Sequence, residues 1–346
     1  MTTLYATHPR YIAHYHPGRN HPERPERLTA TWKALEQYGL LAKMEPITPT
    51  PAPRTTLEAV HKAEHLALLD KVARLGQPVL IDNDTYALPE SFEIAQLAAG
   101  AVINTVDGLM TGQGQNGLVV VRPPGHHATP YHPMGFCLLN NIAVGARYAQ
   151  QTHGLKRVMI VDYDVHHGNG TQDIFYEDGS VLFVSLHQFG ERFYPGTGAL
   201  NEIGKGAGQG TTLNMPLPTG HGDATYETLF QRIVWPAARR FQPEMILVSA
   251  GFDAHFNDML ANMTLSLRGY ARLTRELIHM AQTLCDGRII FVLEGGYDLE
   301  VLSHGVCNIA YALLGEDQIV DPLGQAATRQ PDSGPLISQL AQVHQL

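Results

Sequence analysis

Five short, almost wholly apolar runs recur along this chain, with helical patterning between them. The runs lie at 117–123, 157–163, 181–187, 245–251 and 288–296. Their near-continuous Val, Ile, Leu and Phe content is typical of strands that are buried on both faces, as in parallel sheets. Amphipathic helical patterns lie between and around them, at 91–111, 137–151, 223–240, 267–285 and 299–313. The alternation predicts an α/β fold with one doubly wound, mainly parallel sheet and helices on both faces.

Composition argues against several broad classes of protein. The chain has 346 residues, of which 44% are hydrophobic and 16% charged, as expected of a globular protein. Asp and Glu (33) outnumber Lys and Arg (24), and the formal charge of −9 opposes direct binding to the phosphates of nucleic acids. No apolar run approaches the ~20 residues that span a bilayer, and the N-terminus lacks the apolar core of a signal peptide. We therefore expect no membrane association and a cytoplasmic location.

Residues 1–320 are predicted to form a single catalytic domain, because no repeat or low-complexity linker divides them. Residues 321–346 are polar and are interrupted after Pro322 by two further prolines, Pro331 and Pro335, which favours a C-terminal tail or arm. The three cysteines, at 137, 285 and 307, are far apart and lack C-x-x-C spacing. Neither a disulfide framework nor a thiolate zinc site is therefore indicated.

Polar, glycine-flanked segments follow four of the five predicted strands. They are RPPGHH (122–127), DYDVHHG (162–168), GFD (251–253) and EGGY (294–297). Ligands of open α/β sheets bind outside the carboxyl ends of the strands. Because all four segments are expected at the same edge of the sheet, they predict an active site there.

The second of these segments has the spacing of a metal site. Asp162, Asp164 and His166 alternate, and alternate side chains of an extended segment point to the same side. A catalytic zinc takes three protein ligands from imidazole and carboxylate groups and keeps a position open for water. Asp164 and His166 supply two such ligands, and Asp253 supplies a third. The alternative, that these residues only cap strand ends, is disfavoured by the polar residues at the other strand ends.

Two further segments carry groups that suit acid–base chemistry beside a metal. His126 and His127 follow two prolines and a glycine, a rigid turn that fixes the direction of the imidazoles. Histidine titrates near neutral pH and can exchange a proton with water. Tyr297 follows two glycines, and a phenol at such a turn can donate to an oxyanion. Taken alone, the histidine pair would also suit a structural or second metal site, and the tyrosine would suit packing.

Together these motifs resemble the histone deacetylase-like amidohydrolases of the arginase/deacetylase superfamily, from His21 to Leu314. The segments that carry the resemblance are HPERPERL (21–28), RPPGHHA (122–128), GFCLLNN (135–141), DYDVHHGNGTQ (162–172), VSLHQF (184–189), FYPGTG (193–198), GFDA (251–254) and LEGGY (293–297). Their order and spacing are highly specific. The resemblance implies a single-domain fold of the arginase/deacetylase type.

The resemblance also implies a role for each site residue. Three residues correspond to the zinc ligands of the family: Asp164, His166 and Asp253. His126 and His127 correspond to its tandem catalytic histidines, the second of which serves mainly as general base and later as general acid. Asp162 corresponds to the carboxylate that orients His126, and Tyr297 to the hydroxyl that stabilises the tetrahedral intermediate. The substrate tunnel and its rim are expected at Gly135, Phe136, Tyr194, Leu260 and Asp84.

Structural monovalent cations, K⁺ or Na⁺, are implied in the same way. The inner site would use the side chains of Asp162 and Ser185 together with backbone oxygens of Asp164, His166 and Leu186. An outer site would use positions Phe175, Asp178, Val181 and Tyr226. The alternative for the outer set is ordinary loop carbonyls that are hydrogen-bonded to water.

Three residues depart from one or another branch of the family. Asn169 stands where one branch has an aspartate beside the second histidine, so the chain resembles the class II type. An amide favours the imidazolium less than a carboxylate does. Tyr194 replaces the more usual phenylalanine and adds a polar tip to the tunnel wall. Leu260 occupies the gatekeeper position, where polyamine-selective relatives carry a glutamate, and this argues against polyamine specialisation.

The implied activity is zinc-dependent hydrolysis of an N-acyl amide, most simply acetyl-lysine in a peptide, with release of acetate and the free amine. Acetylpolyamines and other N-acyl amines are the main alternative. An arginase-like dimetal hydrolase is less favoured, because it needs a D-x-H-x-D run and Gly168 stands two residues after His166. A catalytically silent binding protein is also less favoured, because the ligands, both histidines and Tyr297 are all present. The sequence leaves open whether the chain forms a homo-oligomer.

Overall fold

Parallel strands dominate the computed structural model, which describes residues 2–18 and 20–346. In chain order the strands are β1 (Thr3–Ala6), β2 (Glu45–Ile47), β3 (Val79–Leu80), β4 (Tyr86–Ala87), β5 (Asn116–Val119), β6 (Val158–Asp162), β7 (Val181–Gln188), β8 (Thr212–Leu217), β9 (Met245–Ala250) and β10 (Ile289–Leu293). Strands β3 and β4 form a small antiparallel pair. The other eight form one sheet in the order β2-β1-β5-β10-β9-β6-β7-β8, and all neighbours in it are parallel.

Helices connect these strands and cover both faces of the sheet. They are α1 (Glu26–Gln37), α2 (Arg54–Glu58), α3 (Ala63–Leu75), α4 (Ser91–Met110), α5 (Asn141–His153), α6 (Asn169–Phe175), α7 (Asp223–Leu229), α8 (Trp235–Phe241), α9 (Leu267–Leu284), α10 (Leu299–Leu313) and α11 (Gly334–His344). Strands β5, β6, β9 and β10 are buried along their whole length. The predicted fold class, a doubly wound α/β sheet, is therefore confirmed.

Two predicted helices differ in detail from the structure. The helix expected at 137–151 begins only at Asn141, because the Asn140 side chain caps it by accepting from Ala143 N–H. The helix expected at 223–240 is α7 and α8 joined by a π-helical turn at Phe230–Val234. Pro236 lies in the first turn of α8, and its lack of an N–H removes a helical hydrogen bond at this junction.

Strand order places the carboxyl ends of β5, β10, β9 and β6 side by side at one edge of the sheet. The loops that follow these four strands carry the polar segments singled out in the sequence. The C-terminal segment ends in α11, which packs beside the π-helical turn through buried Ile337 and Leu340. Among the described residues, no helix has the length and apolar character needed to cross a membrane.

Candidate active site

The loops after β6 and β9 bring together Asp164, His166 and Asp253. One ligand atom from each of these residues lies within 4.8 Å of the other two. His166 Nδ1 lies 3.2 Å from Asp164 Oδ1 and 3.1 Å from Asp253 Oδ2. Both carboxylates are fully buried. Two buried acids therefore converge on one imidazole nitrogen.

This set of donors fits a divalent metal ion. Burial and the neighbouring Asp164 raise the pKa of Asp253 to about 6. The shift reflects repulsion between two carboxylates that share a desolvated site. A cation held between them would relieve that repulsion, and Zn²⁺ is bound by imidazole nitrogen together with carboxylate oxygen. The three residues that the sequence predicts as ligands are thus able to hold a metal together.

Two glycines form the wall behind the carboxylates. A Cβ atom on Gly251 would lie 2.1 Å from Asp164 Oδ2. A Cβ atom on Gly295 would lie 2.4 Å from the same oxygen and 2.5 Å from Asp253 Oδ2. Gly295 N–H also donates to Asp164 Oδ2 at 2.8 Å. The backbone itself therefore holds the two carboxylates in place, and no side chain fits at Gly251 or Gly295.

His126 and His127 lie beside this group, with their ring centroids 3.9 Å apart. His126 Nδ1 is 3.0 Å from Asp162 Oδ2, whereas His127 Nδ1 is 2.8 Å from Asn169 Oδ1. Both imidazoles are almost fully buried. One histidine is thus held by a carboxylate and the other by a neutral amide.

These surroundings move the pKa values of the two histidines in opposite directions. Burial alone would lower the pKa of His126, but Asp162 and then Asp164 raise it to about 10. Burial and the adjacent His126 lower the pKa of His127 well below its ordinary value. Environments that separate two pKa values also separate acid and base roles. His127 is therefore suited to accept a proton at neutral pH, while His126 stays charged.

A cavity of about 310 Å³ leads to this centre. It is lined by Asp84, His127, Gly135, Phe136, His166, Arg192, Phe193, Tyr194, Leu260 and Tyr297. All five residues predicted for the tunnel and its rim therefore line the same cavity. Burial, followed by Asp253, raises the pKa of Tyr297 well above its ordinary value, so its phenol stays protonated and can donate.

Aromatic rings form the walls of the tunnel. The Phe136 and Tyr297 rings meet edge to face with centroids 5.9 Å apart, and Tyr194 meets His127 in the same way at 5.1 Å. Gly135 has φ +57°, and a Cβ atom there would lie 2.4 Å from His127 Cδ2. Glycine at this position therefore lets the tunnel wall approach the second histidine.

Asp84 and Leu260 lie at the tunnel rim. Asp84 Oδ1 accepts a hydrogen bond from Thr85 Oγ1 at 3.0 Å. Burial and then Asp82 raise the pKa of Asp84. Leu260 is partly exposed, and Met259 beside it is 79% exposed. The rim thus combines acidic and apolar groups.

Sequence reasoning missed three residues that shape this centre. Glu294 is fully buried and accepts hydrogen bonds from Gly125 N–H at 2.6 Å and His126 N–H at 3.1 Å. Phe193 stacks on the His166 ring at 5.2 Å. The Arg27 guanidinium lies 5.1 Å from the centre of the Tyr297 ring. Each of the three belongs to a segment that carries the family resemblance. The spacing of residues in those segments does not indicate which of them contacts another residue of the site.

Three of the residues predicted for the inner cation site lie on adjacent strands, and Asp164 and His166 follow in the loop after β6. Asp162 and Ser185 are register partners in β6 and β7, and Leu186 follows in β7. The Ser185 hydroxyl lies 2.9 Å from His187 Nδ1. At the outer set, the Tyr226 hydroxyl is buried and has no hydrogen-bond partner among the described residues, and Asp178 forms an ion pair with Arg147. Cation binding at both places stays a prediction.

Several known proteins are similar to this chain over most of its length. A model of the histone deacetylase domain matches residues 21–313. Histone deacetylase 14, chloroplastic, of Arabidopsis thaliana is 43% identical over 90% of this chain and 77% of its own length. A probable deacetylase of Archaeoglobus fulgidus is 38% identical over 96% of this chain and 90% of its own length. Human polyamine deacetylase HDAC10 is 41% identical over 85% of this chain and 45% of its own length. The crystal structure of the HDA15 HD domain superposes with a TM-score of 0.91 at 38% identity, covering 99% of this chain and 94% of that one.

Proposed function

The chain belongs to the histone deacetylase family, and from this premise we propose that it is a zinc-dependent hydrolase of N-acetyl amides with acetyl-lysine as its substrate. One observation carries the proposal. A single cavity is lined by three groups: His166, a candidate metal ligand; His127, a histidine suited to act as base; and Tyr297, a protonated phenol. Metal-assisted amide hydrolysis uses a Lewis acid, a general base and an oxyanion donor at one carbonyl.

Asp164, His166 and Asp253 are the residues that would hold the zinc. When bound there, zinc would polarise the acyl oxygen and lower the pKa of a water molecule. The aromatic walls at Phe136 and Tyr194 exclude bulk water and hold the aliphatic part of the substrate in line.

The remaining steps belong to side chains of the chain itself. His127, which is neutral in its buried position, accepts the proton of the attacking water. The Tyr297 phenol donates to the carbonyl oxygen as it becomes negative. His126 stays charged beside Asp162, and its positive charge stabilises the negative charge that develops on the carbonyl oxygen. The C–N bond then breaks as the proton on His127 passes to the leaving amine, and the acetic acid that is released loses its own proton to give acetate.

Acetylated polyamines are the second candidate substrate. A relative that is 41% identical is named a polyamine deacetylase, and Asp84 places an acidic group at the rim of the tunnel. Leu260 weighs against this candidate, because an apolar side chain at the rim offers nothing to a second ammonium group. We therefore place acyl-lysine peptides first. Kinetics on an acetyl-lysine peptide and on acetylated spermidine would rank the two.

Metal removal and one substitution test the proposal. Chelation should abolish hydrolysis of an acetyl-lysine peptide, and added zinc should restore it. Tyr297→Phe should lower kcat by about 10²- to 10³-fold, the loss that follows removal of one oxyanion donor, with a small change in KM. Tyr15→Phe removes an exposed hydroxyl outside the tunnel and is the matched control. An unchanged kcat in Tyr297→Phe would exclude the proposed role of this hydroxyl.

Other properties of the enzyme are proposals of the same kind. We infer K⁺ or Na⁺ at the inner site of Asp162, Ser185 and Leu186 because of the family resemblance. A cytoplasmic location is proposed from the sequence, although relatives in plants are named as chloroplastic. Neither nucleic acid nor membrane is expected as a partner. Sedimentation of the purified chain would establish whether it forms a homo-oligomer.

A further inference from the structure

Asp258, five residues after Asp253, binds the turn that carries Tyr297. Its Oδ2 accepts hydrogen bonds from Tyr297 N–H at 2.6 Å and from Asp298 N–H at 3.1 Å. Its Oδ1 accepts from Leu260 N–H at 3.0 Å. The residue is buried, with 6% exposure. One carboxylate therefore joins three backbone donors from two different loops of the tunnel.

The neighbouring side chain strengthens the same connection. Asn257 Nδ2 donates to Asp298 Oδ2 at 2.8 Å. Asp298 in turn begins α10, because its Oδ1 accepts from Glu300 N–H and Val301 N–H at 3.0 Å each. Residues 257–258 thus attach the Tyr297 turn to the loop after β9, and Asp298 attaches it to a helix.

The backbone before Tyr297 cannot supply this rigidity by itself. Two glycines precede it, and Gly296 has φ +108°, a conformation that other residues rarely adopt. Glycine has more backbone freedom than other residues, so the direction of the Tyr297 ring depends on hydrogen bonds around it. Bonds from an N–H to a carboxylate are shorter and stronger than those to a neutral acceptor.

We propose that Asp258 is the positioning residue for the Tyr297 hydroxyl: its carboxylate fixes the turn, and thereby sets where the phenol meets the acyl oxygen. The proposal rests on the proposed function, in which that hydroxyl donates to the oxyanion. Misplacement of a catalytic group by about 1 Å costs on the order of 10²-fold in rate.

Asp258→Asn is the first test. Asparagine has one acceptor oxygen, so its NH₂ group must face either the Tyr297 and Asp298 donors or the Leu260 donor. We expect kcat for acetyl-lysine peptide to fall by roughly 10- to 100-fold with little change in KM and with the zinc content retained. Asp321→Asn is the matched control, because Asp321 has a buried side chain and accepts two backbone N–H bonds outside the tunnel.

A double-mutant cycle separates positioning from general damage. If Asp258 acts through the Tyr297 hydroxyl, Asp258→Asn should slow the Tyr297→Phe enzyme little further, because the group it positions is already gone. Losses that multiply in the double variant would overturn the proposal, as would an unchanged kcat in Asp258→Asn. If Tyr297→Phe alone is fully active, the role proposed for this hydroxyl fails, and if the native chain does not hydrolyse the peptide, the proposed function itself fails. Both outcomes are distinct from a failure of the positioning proposal.

A second variant covers the case in which Asp258→Asn does not fold. Asn257 is exposed, and Asn257→Asp places a carboxylate against Asp298 Oδ2, which repels the turn. We expect a lower kcat that is again not additive with Tyr297→Phe and that recovers partly in high salt, because salt screens exposed charges. A normal kcat in this variant at low salt, or additivity with Tyr297→Phe, would count against the proposal in the same way.

Discussion

Glu294→Ala removes a side chain at the end of β10 that is hydrogen-bonded to the turn of the tandem histidines. In the native protein Glu294 Oε2 accepts from Gly125 N–H and His126 N–H, and Oε1 accepts from the Ser249 hydroxyl at 3.1 Å. The carboxyl is fully buried, and burial raises its pKa to about 7 although His126 and backbone N–H groups lower it. Alanine leaves these donors without an acceptor in a place that water does not reach.

The expected loss of stability follows from those contacts. Each buried donor left without a partner costs about 1–3 kcal/mol, so the two backbone N–H groups together cost about 2–6 kcal/mol. The Ser249 hydroxyl can rotate and adds less, and the cavity left by the shortened side chain adds a further cost. Glu294→Gln keeps an acceptor for both N–H groups and can donate its NH₂ to the Ser249 oxygen. We expect the Gln variant to lose about 1 kcal/mol or less.

Urea denaturation of the zinc-loaded protein, compared at equal m-values, measures both changes in unfolding free energy. The kcat for acetyl-lysine peptide should follow the same order, with the Ala variant well below the Gln variant, because a loosened turn displaces His126. Two results would refute the reasoning. One is an Ala variant within about 1 kcal/mol of the native protein, since that is less than one orphaned donor costs. The other is a Gln variant as unstable as the Ala variant.

Three further outcomes are expected. Asn169→Asp places a carboxylate beside His127 and should raise the pKa of His127, which moves the acidic limb of the kcat/KM profile to higher pH. A shift of this limb to lower pH would contradict the role of His127 as base. Gly295→Ala should weaken zinc binding about 10- to 100-fold in a chelator competition, whereas Gly190→Ala, with free space around its Cβ, should not. Burial would raise the pKa of Glu23, but two arginines lower it to about 2. Because this folded pKa lies below the unfolded value near 4.5, about 3 kcal/mol of stability is present at neutral pH and is lost as pH falls from about 4.5 through 2. Glu23→Gln should abolish that acid dependence in urea titrations, and a pH dependence like that of the native protein would exclude this explanation.

The sequence predicts the central part of the fold because long buried strands have a clear signature. Strands such as β6 and β9 are continuous apolar runs, and their carboxyl ends carry the polar segments that form the site. Strands β1 and β2 have four and three residues, and neither belongs to a longer apolar run that would mark it as a strand. Strand β8 contains Pro216 and lies at an edge of the sheet, where a missing N–H is tolerated.

The contacts that support the site were not predictable in the same way. Metal ligands and a histidine pair can be recognised by residue type and spacing. Asp258 and Glu294 act instead through backbone donors that lie 39 and 169 residues away in the chain. Nothing in local composition indicates which carboxylate will accept those bonds. Only the folded arrangement of the loops after β5, β9 and β10 brings donor and acceptor together.

The five residues at 294–298 show what this arrangement means for variation. In succession they bind the histidine turn, donate to Asp164, accept from Arg27, present the tunnel phenol and begin α10. Every position makes a specific contact, so inserting or deleting one residue would shift every later contact out of register. We therefore expect homologous chains to vary in length at the rim loops and to keep this segment at a constant length. New substrate preferences would then arise through changes in the rim loops, while residues 294–298 keep their length and contacts.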